Sequence, residues 1–86
     1  MNQKYLDELF ELLRFQSIST DSRNKGDVQA CGEWLTAKLG GMGLASELRA
    51  TEGHPVVLAR NEHKEGRPTV MIYGHYDVQP VDPLKL

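Results

Sequence analysis

The chain has 86 residues, ten Lys or Arg against twelve Asp or Glu, a formal net charge of −2 and one cysteine. That length allows at most one small domain, with a thin margin of stability. Interspersed charge leaves no basic footprint for nucleic acid and no polybasic segment for a membrane surface, and one cysteine excludes a disulfide framework or a Cys-rich zinc module.

No apolar run reaches membrane-spanning length. The start Met1-Asn2-Gln3-Lys4 lacks the apolar stretch of a secretory signal, so the expected compartment is the cytoplasm. Residues 3–15 follow as an amphipathic helix, because Tyr5, Leu6, Leu9, Phe10, Leu12 and Leu13 recur at spacings of three and four. Asn2 is the expected N-cap, and the apolar stripe is assigned to packing. Ser17-Ile18-Ser19-Thr20-Asp21-Ser22 is a polar connector whose hydroxyls compete for backbone hydrogen bonds. No Gly-x-Ser-x-Gly elbow surrounds its serines, so it reads as a loop rather than a nucleophile site.

A second helix is expected over Asp27–Leu39, with Val28, Cys31, Trp34 or Leu35, and Leu39 on its buried side. Cys31 reads as a small core residue. Gly32 weakens the helix by about 1 kcal/mol relative to alanine unless close packing requires it. Gly40, Gly41 and Gly43 are expected to stop the helix; without a following Lys-Ser or Lys-Thr they are no phosphate loop. Leu44–Arg49 reads as an edge strand and Pro55–Arg60 as a second strand. Charged, turn-forming residues 61–68 separate Pro55–Arg60 from a third strand, Thr69–Tyr73, its expected antiparallel neighbour. His54 and His63 are expected in loops, without a ligand role. Val81-Asp82-Pro83-Leu84 cannot continue a central strand, since proline lacks the amide donor.

The third strand runs into Tyr73-Gly74-His75-Tyr76-Asp77-Val78-Gln79-Pro80. Residues two apart on an extended chain share a face, so His75 and Asp77 are expected to point the same way. Asp77 would accept from one ring nitrogen, leaving the other as a lone-pair donor, the arrangement that orients metal-binding histidines. An isolated His-x-Asp is often only a structural pair, so the spacing alone leaves both readings open. A position beyond the carboxyl end of a sheet strand favours the functional one.

Residues 69–86, Thr-Val-Met-Ile-Tyr-Gly-His-Tyr-Asp-Val-Gln-Pro-Val-Asp-Pro-Leu-Lys-Leu, resemble the first metal-binding motif of the zinc-dependent dipeptidase family. That family also holds carnosinases, aminoacylases, acetylornithine deacetylase and succinyl-diaminopimelate desuccinylase. The last two more often read His-Thr-Asp-Val-Val-Pro at this point. The form His75-Tyr76-Asp77-Val78-Gln79-Pro80, followed by Asp82-Pro83-Leu84, is similar to the dipeptidase branch.

The resemblance implies an α/β fold: two amphipathic helices and about three strands, opening a zinc-exopeptidase-like three-layer catalytic domain. Residues 1–86 would be the amino-terminal portion of that domain, without its remainder and its lid domain. By the same resemblance His75 ligates one zinc of a two-zinc site, and Asp77, of the catalytic set, holds the His75 ring. A bridging Asp, a Glu pair, a further carboxylate and a late His would all lie after Leu86. The implied activity is metallopeptidase hydrolysis of a small peptide substrate, a dipeptide, and a homodimer of the full-length form is compatible with it.

Two alternatives stand beside it: hydrolysis of an N-acyl amino acid by the same machinery, and a non-catalytic truncated fragment. The fragment reading follows from ligand number, because catalytic zinc takes three protein ligands and one histidine falls short. A sheet cut from a larger domain would also expose its edges, so marginal stability and self-association through the motif strand are expected.

Overall fold

The computed structural model describes residues 2–62 and 64–79. His63 and the segment 80–86, with Pro80 and the expected departure from the sheet, lie outside the described residues. The elements are α1 (Gln3–Leu13), a short 3-10 turn (Ser22–Asn24), α2 (Lys25–Gly41), β1 (Ala45–Arg49) and β2 (Val56–Arg60). The class is mixed α/β, two helices with an antiparallel pair of strands.

Helix α1 starts where its cap predicts, because the Asn2 side chain accepts a hydrogen bond from the Lys4 amide. It ends at Leu13, two residues earlier than expected, and none of its residues is buried. The stripe read as core is therefore corrected: Leu6 and Leu12 are half-buried, whereas Tyr5, Leu9, Phe10 and Leu13 are exposed. Its links to α2 come from polar and aromatic groups instead. Trp34 Nε1 donates to Glu11 at 3.0 Å, Lys38 lies 3.5 Å from Glu8, and the Phe15 and Trp34 rings are tilted at 6.0 Å.

Helix α2 is the element against which the 3-10 turn and both strands pack. Val28, Cys31 and Gly32 are buried along it, as the periodicity indicates for the first two. Trp34 turns towards α1, so the apolar residues of α2 serve two directions rather than one face. The helix also runs through Gly40 and Gly41, contrary to expectation, because neither needs a left-handed backbone there. Gly43 makes the stop with φ of 93°: its amide donates to the Gly40 carbonyl and the Leu44 amide to the Leu39 carbonyl. That is a Schellman closure.

β1 and β2 pair with Ala45 opposite Arg60 and Arg49 opposite Val56. Alternation puts Ser46, Leu48 and Val57 on the half-buried face and Glu47, Val56 and Leu58 on the exposed one. Ser46 Oγ donates to the Thr36 carbonyl, tying the sheet to α2. The third expected strand is corrected. Thr69–Tyr73 forms no ladder, and Val70, Met71, Ile72 and Tyr73 are exposed. A strand exists through its hydrogen-bonded neighbour, and among the described residues β2 pairs with β1 alone. Pairing resumes only at Val78, which makes an isolated parallel bridge with Ile18. No helix of the described residues is long and apolar enough to cross a membrane.

Candidate metal-ligand site

The segment Tyr76–Val78 is stitched to Ser17–Ser19 rather than to the sheet. Ser17 Oγ donates to the Tyr76 carbonyl at 2.7 Å, and the Val78 amide donates to the Ser17 carbonyl at 2.9 Å. Ser17 is buried, and both of its oxygens are thus engaged. Among the described residues no buried side-chain polar atom lacks a partner. Tyr76 crosses over α2 at Gly32 and donates from its hydroxyl to the Pro55 carbonyl at 2.5 Å. Partial burial, and after it the nearby Cys31 and Asp77, push the Tyr76 phenol above its ordinary value, so it stays a donor at neutral pH.

With Tyr76 and Val78 held, His75 and Asp77 meet. His75 Nδ1 donates to Asp77 Oδ1 at 2.9 Å. Asp77 Oδ2 accepts from Ser19 Oγ at 2.5 Å. Both carboxylate oxygens are therefore engaged. The Ser19 hydroxyl foremost holds the Asp77 carboxyl below its usual range; partial burial opposes it, and the His75 ring adds to the lowering. The His75 side chain is 74% exposed and that of Asp77 42%. Among the described residues no hydrogen bond involves His75 Nε2. With Nδ1 protonated towards the carboxylate, a neutral His75 carries its lone pair on Nε2.

The donor chemistry suits one zinc contact through an imidazole nitrogen. Among the described residues no group of three or more His, Cys, Asp or Glu side chains gathers around a point. His54 is elsewhere engaged, its Nε2 donating to the Ser19 carbonyl at 2.7 Å. A concavity of about 620 Å³ between α1 and α2, lined by Tyr5, Glu8, Trp34 and Lys38 among others, includes neither His75 nor Asp77. The chemistry at the motif is thus presented on an open surface.

Sequence reasoning located His75 and Asp77 but passed over Ser17, Ser19, His54 and Tyr76 as neighbours of the pair. One local signal existed: Ser17 and Ser19 flank Ile18, so an extended backbone puts both hydroxyls on one side. Nothing local indicates that residues 58 positions apart would meet there.

No family model matches the chain, and no solved structure matches it. A cysteinylglycine-S-conjugate dipeptidase of Corynebacterium striatum is 28% identical over 93 aligned positions, which cover 98% of this chain and 20% of that enzyme. The similarity supports a dipeptidase-like relationship. The chain spans about a fifth of the length of that relative.

Proposed function

We propose that this chain carries the first metal-ligand motif of a zinc-dependent dipeptidase, with His75 as a zinc ligand and Asp77 as the group that orients it. The observation that supports the reading best is the engagement of both Asp77 oxygens, one by His75 Nδ1 and one by Ser19. A carboxylate so occupied keeps the proton on Nδ1 and the ring turned to one direction, and it is the nitrogen away from the carboxylate that binds. Zinc, when bound, supplies Lewis acidity towards the scissile carbonyl. A competent centre takes further ligands, since His75 is one of the three that catalytic zinc requires.

Dipeptides are favoured over N-acyl amino acids by the His75-Tyr76-Asp77-Val78-Gln79 form. The relative points the same way, its name stating action on cysteinylglycine S-conjugates. Zinc added to protein carrying nitrogen-15 histidine is expected to shift the His75 Nε2 resonance and leave that of His54 in place. Replacing Asp77 by Asn should weaken zinc binding at His75 about 10- to 100-fold, as loss of an orienting partner does elsewhere. Normal zinc content and dipeptide turnover in a His75→Ala protein that also carries the remaining ligands would sink the assignment. Turnover of N-acetyl amino acids in place of dipeptides would select the alternative substrate.

A further inference from the structure

We infer that Ser19 is a positioning residue for the His75–Asp77 pair, fixing the plane of the Asp77 carboxylate from the side that His75 does not use. The inference rests on the reading of His75 as a metal ligand. It starts from a weakness of the pair: the terminal torsion of an aspartate is broad, and a half-exposed carboxylate is open to competing water. One hydrogen bond from His75 leaves the carboxylate free to pivot about that contact. The second, from Ser19 Oγ to Oδ2, removes the pivot.

The other contacts of the segment have a different purpose. Ser17 Oγ to the Tyr76 carbonyl and the Val78 amide to the Ser17 carbonyl align two backbones, and they would do so with any residue at position 77. The Ser19 hydroxyl adds nothing to that alignment; it is addressed to a side chain. Ser19 is itself braced from the far side, because His54 Nε2 donates to its carbonyl at 2.7 Å. His54, Ser19, Asp77 and His75 thus form one continuous path of hydrogen bonds from the β1–β2 connection to the imidazole.

The readout is the tautomer of His75 in the metal-free chain, taken from the nitrogen-15 shifts of its two ring nitrogens at a pH where the imidazole is neutral. The wild type is expected to hold the proton on Nδ1. Ser19→Val should move the tautomer ratio at least about threefold towards Nε2–H, as loss of a charge-assisted hydrogen bond implies. Ser19→Thr, of nearly the same shape as Val but with a hydroxyl, should restore it. In an Asp77→Ala background, which leaves nothing for the hydroxyl to hold, the Val and Thr variants should no longer differ.

Equal ratios in the Val and Thr variants, with Asp77→Asn alone changing the ratio, would overturn the role of Ser19. Zinc addition to the wild type is the separate arm. A His75 resonance insensitive to zinc, together with an intact difference between Val and Thr, would defeat the metal-ligand reading and leave the brace on the pair standing. When both hold, Ser19→Val should also weaken zinc binding at His75 by about tenfold.

Discussion

Gly32 shows how one residue in a helix can set the position of a motif 44 positions further along the chain. A Cβ built there would lie 2.9 Å from Leu48 Cδ1 and 3.1 Å from the Tyr76 hydroxyl. The helical cost of glycine was visible in the sequence, but the reason for it was not, since both neighbours come from other elements. Gly32→Ala gains about 1 kcal/mol in helix propensity and loses about 1–3 kcal/mol to overpacking. The expected outcome is net destabilisation by about 1 kcal/mol in urea unfolding, with Tyr76 displaced from Pro55. Gly26→Ala is the contrasting case. Nothing lies within 4 Å of its added Cβ, and its backbone is not left-handed. That variant should gain about 0.4–1 kcal/mol by the same measurement.

Among the elements, α1 was the most legible in the sequence and contributes least to the core. Its period and its Asn2 cap follow from local physics, and both are present. Burial of its stripe is another matter, because it needs a surface to bury against. The links to α2 through Glu8, Glu11 and Phe15 include a half-buried ion pair, Glu8 with Lys38 at 3.5 Å, still open enough to solvent to be worth about 0–1 kcal/mol. Asn2→Ala should therefore remove about 1 kcal/mol from α1 alone. Far-UV circular dichroism is expected to lose helical signal while the thiol of Cys31, fully buried, stays as slow to alkylate as before. Faster alkylation of Cys31 in that variant would show that α1 supports the core after all.

For the molecule as a whole, the described core is small: Val28 and Cys31 are its fully buried apolar side chains. Against this stands Val70-Met71-Ile72-Tyr73, a run of high strand propensity with Ile72 93% exposed. Such a segment pairs with whatever strand edge it meets, including that of another copy. Self-association that rises with concentration is expected in analytical ultracentrifugation. Ile72→Lys should reduce it while changing the unfolding free energy by no more than about 0.5 kcal/mol, since the side chain touches little. A monodisperse monomer at all concentrations would refute this.

Hydrophobic period, capping residues and the His75-x-Asp77 spacing were legible because each depends on residues a few positions apart. The two helices, the strands β1 and β2 as separate elements and the meeting of imidazole with carboxylate belong to that local physics, whereas the pairing of β1 with β2, in place of the expected pairing of β2 with Thr69–Tyr73, does not. What Thr69–Tyr73 would pair with, what Gly32 lies against and which hydroxyl holds Asp77 depend on segments brought together from far along the chain. A strand needs an edge, a tight contact needs a neighbour and a second hydrogen bond needs a donor, and each of these is supplied only by the folded arrangement.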